Sequence, residues 1–461
     1  MTIQLKKNPP ATAVPITVID AYTYKALADT LPPATVAWLK TIGFAGAADT
    51  HALIPDAEGG LAQVFAGVTQ ANDPFGLASL PAVLPPGPYR LADHGLSVPA
   101  ELAALAWTAG AYAFDRYKAR RRAPASLVLR TSAAAQRGLV HAEAIMLVRD
   151  LVNTPAEHMG PPDLTLAAQA LAKRHGARFS QVLGDALLKK NFPAIHAVGR
   201  ASTRAPRLIE LNWGKPKHPL VSIVGKGVCF DTGGLDIKPA DGMRLMKKDM
   251  GGAAHALGLA SMVMALQLPI RLQVLIPAVD NAIAGNAYRP GDVIKTRAGV
   301  QIEIGNTDAE GRVILCDALA YAVESKPDLI IDLATLTGAA RIALGPQLPA
   351  LFCREMAPAR QLVDLGLQLH DPLWHLPLWE PYASGIASTV GDIVNTGRNA
   401  MAGAINAALF LAHFVPPQQD WLHLDLFGWN DTARAGRPIG GEAQTLRTLL
   451  VYLEQRFRTQ D

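Results

Sequence analysis

The 461-residue sequence has few cysteines and few charges for its length. Its three cysteines, Cys229, Cys316 and Cys353, have neither metal-site spacing nor the pattern of a disulfide framework, which favours a reducing compartment. No uninterrupted apolar run reaches the roughly 18 residues of a membrane-spanning helix, and the N-terminus lacks the apolar segment of a signal peptide. We therefore expect a cytoplasmic protein with no membrane association.

Several catalytic motifs are also missing. The sequence has no His-Glu-x-x-His, Gly-x-Ser-x-Gly, Walker or Gly-x-Gly-x-x-Gly motif, which disfavours single-zinc peptidases, serine hydrolases and dinucleotide enzymes. The net charge of +4 is small, so nucleic acid is a disfavoured partner. The basic stretch 116–122 is interpreted as an interdomain link, because no nucleic-acid motif accompanies it. His255 is interpreted as a core or helix-surface residue rather than a metal ligand.

The length and the 50% hydrophobic content predict two domains with a large buried core. Predicted strands at 14–21, 60–68 and 127–130 and a helix at 99–117 indicate a small α/β N-terminal domain, residues 1–132. A long helix over 133–153 is predicted to link it to a catalytic domain, residues 154–461.

In the predicted catalytic domain, apolar strands alternate with helical segments. The strands are predicted at 208–211, 220–224, 272–277, 329–333 and 421–426, and the helices at 250–266, 312–323, 400–414 and 442–454. This alternation predicts an α/β fold with a mostly parallel sheet sandwiched by helices.

The segment Asn306-Thr307-Asp308-Ala309-Glu310-Gly311-Arg312 places two carboxylates and a guanidinium just before an apolar run. One interpretation is a turn that begins a helix, with acidic residues favoured by the helix dipole. The other is a functional site. The heptapeptide alone supports both equally.

A second group of charges follows the predicted strand 220–224. Lys226 and Asp231 lie where α/β sheets place ligand sites, and Lys238 and Asp249 follow among repeated glycines. Like-charge repulsion among Asp231, Asp249, Asp308 and Glu310 would be relieved by divalent cations. Lys226 could join as a ligand only if it were neutral. Lys238 and Arg312 would remain cationic partners, although each could equally form an ordinary ion pair.

These residues resemble the leucyl aminopeptidases of the cytosolic two-metal family. The heptapeptide matches that family's signature, and the spacing of Lys226, Asp231, Lys238 and Asp249 matches its other metal block. Segments 332–339 and 403–411 are also similar, so that the resemblance covers roughly residues 145–455.

The resemblance implies a tight metal site and a more exchangeable one. Lys226, Asp231, Asp249 and Glu310 would form the first, and Asp231, Asp308 and Glu310 the second, with zinc or manganese as the occupants. Ligand softness alone also allows cobalt or magnesium. By the same resemblance, the two ions would activate a bridging water, Lys238 would stabilise the oxyanion and Arg312 would hold a bicarbonate that shuttles the proton.

The resemblance further implies that Met246, Thr335 and Gly338 line the pocket for the first side chain of a peptide. These three residues fit an apolar, Leu-like side chain, so the expected function is an aminopeptidase that removes apolar N-terminal residues. Phe427 departs from the family, which has a small residue there; it either packs in the core or narrows the pocket. The family's members are homohexamers, and short peptides would be the substrates. Two other functions stay open: a non-catalytic binding protein that uses its N-terminal domain for nucleotides or nucleic acid, and another two-metal hydrolase such as a phosphoesterase.

Overall fold

The computed structural model describes residues 2–458, which form two compact units. The first comprises residues up to Met146 together with Asp431–Ile439, and the second comprises Leu147–Asn430 and the residues from Gly440 onward. Residue 1 of the predicted N-terminal domain and residues 459–461 of the predicted catalytic domain lie outside the described residues.

A six-stranded sheet forms the centre of the first unit. Its order is β1-β6-β5-β2-β4-β3, and only the pair of β3 and β4 is antiparallel. The strands are β1 Ile3–Lys6, β2 Val14–Ile19, β3 His51–Pro55, β4 Leu61–Gly67, β5 Pro88–Leu91 and β6 Ser126–Arg130.

Helices accompany this sheet, and α4 is the most buried of them. The helices of the unit are α1 Ala21–Ala28, α2 Pro33–Thr41, α3 Leu80–Val83 and α4 Ala100–Gly110. Trp107 of α4 is fully buried and donates a hydrogen bond from Nε1 to the Ala125 carbonyl at 3.0 Å. The next helix, α5 Ala133–Asn153, has the bounds predicted from the sequence and runs from the first unit into the second.

The segment Asp431–Ile439 belongs to the first unit, although it lies within the predicted catalytic domain 154–461. Ala435 packs against the apolar core of that unit. The guanidinium of Arg437 lies 4.3 Å from the ring centroid of Phe75, a favourable cation–π distance. Gly436 has φ +66°, and a Cβ there would lie 2.6 Å from the Phe75 ring, so the turn requires glycine.

A nine-stranded sheet organises the second unit and confirms the predicted mostly parallel α/β fold. Its order is β16-β15-β18-β14-β9-β11-β8-β7, with β10 also paired to β11. The strands of this unit, including those of two small sheets, are β7 Arg178–Leu183, β8 Arg207–Trp213, β9 Leu220–Gly225, β10 Gly227–Asp231, β11 Arg271–Asn281, β12 Val293–Lys295, β13 Gln301–Glu303, β14 Leu329–Ala334, β15 Ala350–Cys353, β16 Trp374–His375, β17 Ile393–Val394, β18 Trp421–Asp425, β19 Trp429–Asn430 and β20 Gly440–Gly441.

The central strands β9 and β14 are buried along their whole length, as expected for parallel strands that helices cover. Helix α10 packs on β9 and β14, and helix α11 packs on β9 and β11. The helices of the unit are α6 Pro161–His175, α7 Ala186–Lys189, α8 Pro193–Gly199, α9 Ala240–Met243, α10 Gly251–Ala265, α11 Glu310–Glu324, α12 Gly338–Leu344, α13 Met356–Gln368, α14 Gly403–Ala412 and α15 Leu446–Arg456; short 3₁₀ turns cover Ala156–His158, Met246–Met250 and Glu380–Ile386.

The carboxyl ends of β9, β10 and β14 lie at one edge of the large sheet, since these strands run parallel to one another or to the shared neighbour β11. This edge is where α/β sheets hold their ligands. Between residues 2 and 458, no helix has both the length and the apolar character needed to cross a bilayer.

Candidate metal centre and substrate cavity

Lys226 occupies the sheet edge between the ends of two central strands. It directly follows β9, and its ammonium donates a 3.0 Å hydrogen bond to the carbonyl of Thr335, the residue after β14. Its Nζ atom also lies 2.8 Å from Asp249 Oδ2 and 3.0 Å from Glu310 Oε1. One lysine therefore joins carboxylates from the 3₁₀ turn Met246–Met250 and from the start of α11.

Lys238 connects the other two carboxylates. Its ammonium lies 2.9 Å from Asp231 Oδ2 and is also paired with Asp308. Asp231 ends β10, and its Oδ1 atom accepts hydrogen bonds from Gly233 N and Asn281 Nδ2, each at 2.8 Å. The two charge groups of the sequence, more than fifty residues apart, are thus brought into one cluster.

Burial and charge govern the protonation of this cluster. Burial and the adjacent Asp231 carboxylate raise the pKa of Asp308 to about 6. The same two causes raise the pKa of Glu310 well above its usual value. Burial acts to lower the pKa of Lys226, but Asp249 and Glu310 outweigh it and raise that pKa above its ordinary value. Without a cation, Lys226 is therefore a charged ammonium, and its predicted role as a neutral ligand requires that a metal displace its proton.

The carboxylates fit a divalent cation. Oxygen atoms of Asp231, Asp308 and Glu310 all lie within 4.8 Å of one another. Glu310 is 1% exposed, and its Oε2 atom is buried without a hydrogen-bond partner. Crowded carboxylate oxygens and a buried unpaired one are compensated when a hard cation binds between them. The donor set, several oxygens with one amine nitrogen, suits zinc, manganese, cobalt or magnesium.

Two glycines make this crowding sterically possible. A Cβ at Gly311 would lie 2.5 Å from Lys226 Cε and 2.7 Å from its Nζ. A Cβ at Gly252 would lie 2.0 Å from the carbonyl oxygen of Leu333 on β14. Any side chain at these positions would push the lysine or helix α10 away from the sheet edge.

The heptapeptide 306–312 is both a helix-start turn and a part of the site. Asn306 Oδ1 accepts a 2.7 Å hydrogen bond from the Asp308 backbone N–H, and the Thr307 hydroxyl donates to the Gly233 carbonyl at 2.6 Å. Helix α11 then begins at Glu310. The turn fixes the backbone, and the two acidic side chains point into the cluster.

Arg312 lies one residue beyond Gly311 and is nearly buried. Its Nη1 atom donates a 2.8 Å hydrogen bond to the Asn395 carbonyl, and its Nε atom is buried without a hydrogen-bond partner. Burial lowers the pKa of this guanidinium to about 10, so it stays charged at neutral pH. It is absent from the lining of the cavity described next, and its predicted anion-holding role stays a prediction.

A cavity of about 350 Å³ adjoins the cluster. The predicted pocket residues Met246, Thr335, Gly338 and Phe427 line it together with the metal-ligand candidates and Lys238. Phe427 is half-buried and lines this cavity, which favours the alternative that it narrows the pocket. The Thr335 hydroxyl donates to Asp249 Oδ1 at 2.8 Å and thereby orients a ligand candidate.

Sequence reasoning missed three residues of this region. Asn281 ends β11 directly opposite Asp231 in the strand register, and its amide also donates to the Thr307 carbonyl at 3.0 Å. Its place at the end of an apolar strand was the signal that could have identified it. Lys248 and Arg341 also line the cavity. Lys248 resembles a solvated neighbour of Asp249 in the sequence, but it is only 6% exposed, and burial lowers its pKa to about 8.

His255 has the structural role expected from the sequence. Its Nε2 atom accepts a 2.9 Å hydrogen bond from the Gln444 backbone N–H, and Nδ1 lies 2.6 Å from the Gly251 carbonyl. Burial lowers the pKa of His255 to about 4, which keeps the ring neutral. Both ring nitrogens are thus satisfied within the protein.

Two family profiles match the chain. The profile of the cytosol aminopeptidase family, catalytic domain, matches residues 146–450, and that of the M17 aminopeptidase N-terminal domain matches residues 14–130. A probable cytosol aminopeptidase of Syntrophotalea carbinolica is 41% identical over 362 residues, which are 75% of this chain and 72% of that protein. One from Roseiflexus castenholzii is 42% identical over 338 residues, covering 72% and 68% of the two chains.

Solved structures show the same similarity. The crystal structure of a cytosol aminopeptidase from Coxiella burnetii superimposes with a TM-score of 0.94 at 50% identity and covers 99% of both chains. The bottromycin maturation enzyme BotP in complex with Mn has a TM-score of 0.86 at 32% identity, covering 97% of this chain and 100% of that one.

Proposed function

Since the chain belongs to the cytosol aminopeptidase family and is therefore a peptidase hydrolase, we propose that it removes N-terminal residues from short peptides with the aid of two divalent cations. The observation that carries the proposal is the buried cluster of four carboxylates and two lysines beside a cavity large enough for a peptide end. The proposed metal ligands are Lys226, Asp231, Asp249, Asp308 and Glu310.

The geometry supports two adjoining cation sites. Lys226 contacts both Asp249 and Glu310, and these three residues would hold one ion with Asp231. Asp231, Asp308 and Glu310 would hold the second, and Asp231 and Glu310 would serve both. When bound, such a pair supplies an activated water at neutral pH and polarises the scissile carbonyl. Zinc or manganese is the proposed occupant; a manganese complex of the BotP relative supports the choice of manganese.

Lys238 would stabilise the negative charge that develops on the carbonyl oxygen. Its ammonium lines the cavity between Asp231 and Asp308, and its side chain is 14% exposed. Burial acts to lower its pKa, but the two carboxylates raise it above the usual value, so the group stays charged. A fixed charge at a site of low water content stabilises a transition state strongly.

Arg312 would hold a small anion, for which bicarbonate is the proposed identity. Its buried Nε atom has no hydrogen-bond partner and stays free to donate. The anion would carry the proton between the attacking water and the leaving amine, because the carboxylates near the cavity would be engaged as ligands.

The two alternative functions predict different results in activity assays. A non-catalytic binding protein would keep the metal sites without hydrolysis, and a phosphoesterase would cleave phosphate esters instead of peptides. An amine ligand in place of histidines and a cavity lined by Met246 and Phe427 favour a peptide substrate. We also expect the protein to work in the cytoplasm.

Hydrolysis of leucine p-nitroanilide by the Mn²⁺-loaded protein tests the proposal. We expect turnover, loss of turnover with EDTA, and recovery on addition of Mn²⁺. Lys238→Ala should lower kcat by roughly 10²–10³-fold while both ions stay bound, since it removes only transition-state stabilisation. Exposed Lys217 offers the matched control, Lys217→Ala. Metal-loaded protein that cleaves no aminoacyl substrate would contradict the proposed function.

A further inference from the structure

Two cations share one aromatic ring on the wall of the cavity. The Lys248 ammonium lies 5.0 Å and the Arg341 guanidinium 4.8 Å from the ring centroid of Phe427, and all three residues line the cavity. Each cation is within the range of a favourable cation–π contact. The ring therefore brings two positive charges together on the wall of the cavity, which Thr335 and Gly338 also line.

Neither cation has an acidic partner. Within residues 2–458, the side chains of Lys248 and Arg341 form no ion pair and no hydrogen bond, whereas Lys226 and Lys238 contact two carboxylates each. Lys248 is more than nine-tenths buried, so water compensates its charge poorly. A buried ammonium without an acceptor is unfavourable and is stabilised when an anion binds beside it.

The two charges lie beside the metal-ligand candidates. Lys248 directly precedes Asp249 on the 3₁₀ turn that begins at Met246. Arg341 follows Gly338 by three residues on α12, one helical turn away. A peptide whose scissile bond lies at the carboxylate cluster would therefore direct its first side chain toward Phe427 and the two cations.

We propose that this pocket selects an acidic first residue, glutamate or aspartate, whose carboxylate pairs with Lys248 and Arg341 while its methylene groups pack on Phe427. The proposal rests on the proposed aminopeptidase function and gives it a substrate class. A leucine side chain would leave the Lys248 ammonium unpaired, so leucine should be cleaved, but with a lower kcat/KM than glutamate. A carboxylate gains a charge-assisted hydrogen bond that neutral side chains lack.

The test compares kcat/KM for Glu-Ala-Ala, Gln-Ala-Ala and Leu-Ala-Ala with the Mn²⁺-loaded enzyme. Gln is the neutral isostere of Glu, so the ratio of the first two isolates the charge. We expect Glu to be preferred over Gln by roughly tenfold or more, the range of a hydrogen bond to a charged group. Lys248→Met should remove most of this preference, and Arg341→Met, at an exposed position, should reduce it less.

Lys247→Met is the matched control. Lys247 lies on the same turn, but its ammonium donates to the Asn153 carbonyl at 2.6 Å and it is not part of the cavity lining. The Glu/Gln ratio should persist in this variant. Thermal unfolding of Lys248→Met checks its folding; replacing a buried unpaired charge by an apolar isostere should leave Tm equal or higher.

Four results overturn the proposal. If Leu-Ala-Ala is cleaved and Glu is no better than Gln, or if Lys248→Met keeps the Glu/Gln ratio, the acidic pocket is refuted while the peptidase function stands. If Lys248→Met affects Ala-Glu-Ala instead of Glu-Ala-Ala, the cations serve the second residue and the assignment is wrong. If no peptide is cleaved with Mn²⁺ bound, the proposed function fails and this inference fails with it.

Discussion

Single residues determine what this site can bind. Glu310 is the most buried carboxylate of the cluster, contacts Lys226 at 3.0 Å, and has a second oxygen without any hydrogen bond. Within residues 2–458, the ion pair of this carboxylate is thus with a lysine that is itself a ligand candidate. The proposed metal ion would supply the partner that the second oxygen lacks.

Glu310→Gln tests that conclusion. The amide has the same shape but no negative charge and only one oxygen, so we expect Mn²⁺ affinity to fall by roughly 10²-fold or more, beyond the 10–100-fold typical of outer-shell changes. Titration calorimetry measures the affinity without reliance on activity. Glu324→Gln, at the exposed end of the same helix, should bind Mn²⁺ as the wild type does. Equal affinity in the Glu310 variant would exclude it as a ligand.

The acidic residues of the cluster could be identified from the sequence, but the buried lysine beside them could not. Asp308 and Glu310 stand out because two acids precede an apolar run, and repulsion between acids itself indicates a cation. Lys247 and Lys248, by contrast, look alike in the sequence. A 3₁₀ turn has three residues per turn, so adjacent side chains point about 120° apart, and one lysine is buried while the other is half-exposed. Only the three-dimensional path of this turn distinguishes them.

Buried side-chain hydrogen bonds connect the neighbouring strands β14 and β18, in addition to their backbone hydrogen bonds. β14 and β18 are parallel neighbours, and His423 Nδ1 on β18 lies 2.5 Å from Asp332 Oδ1 on β14. Trp421 Nε1 donates to the other Asp332 oxygen at 2.6 Å. Burial acts to lower the pKa of His423, but Asp332 outweighs it and raises that pKa above its ordinary value.

The contact between His423 and Asp332 predicts that the free energy of unfolding depends on pH. Because the folded-state pKa of His423 is raised, its contribution is complete below the unfolded value of about 6.5 and is lost as pH rises through the folded value. We expect the difference in free energy of unfolding between wild type and His423→Gln to shrink as pH rises above the unfolded-state pKa of about 6.5. Urea unfolding measures it, with exposed His413→Gln as control. A difference that grows with pH would contradict the assignment.

The long buried strands could be predicted from the sequence, but the short strand β15 could not. Strands predicted at 220–224 and 329–333 are observed at Leu220–Gly225 and Leu329–Ala334, because a run of β-branched and other apolar residues can hardly be placed elsewhere. β15, Ala350–Cys353, was missed. It pairs antiparallel with β18, and its four residues lack any alternating pattern that would separate a strand from a buried loop.

At the scale of the whole molecule, large apolar side chains are exposed at several places in the second unit, and one of these is the stretch 374–401. Between residues 374 and 401 they are Trp374, Trp379, Tyr382, Val390 and Met401, the last 72% exposed. Exposed apolar surface of this kind is typical of subunit interfaces. It is compatible with the homohexamer that the family resemblance implies.

We therefore expect light scattering to give six times the 48.9 kDa chain mass. Val390→Lys with Met401→Lys should lower the mass, since burying two charges at an interface is unfavourable. Tyr22→Lys, at an 84% exposed position of the first unit, should leave the molar mass measured by light scattering unchanged. A wild-type mass equal to one chain would contradict the assembly.

The sequence predicted a two-domain α/β protein but not the path of the chain through it. Nothing in Asp431–Ile439 indicates that these residues join the first unit, because Ala435 and Gly436 lie in a turn-rich segment without periodicity. The observed contact of Arg437 with Phe75 joins positions more than 350 residues apart. Such pairings follow from tertiary packing and leave no local pattern.

The position of Asp431–Ile439 late in the sequence affects how the first unit folds during synthesis. The ribosome synthesises residues 1–146 long before residues 431–439, so the first unit must begin to fold without the segment that carries Ala435 and Arg437. Sequential, domain-by-domain folding during synthesis is therefore interrupted for this unit. A fragment that stops after residue 146 would leave part of its apolar core uncovered, and it would be expressed poorly unless the nine-residue segment were supplied through an engineered connection.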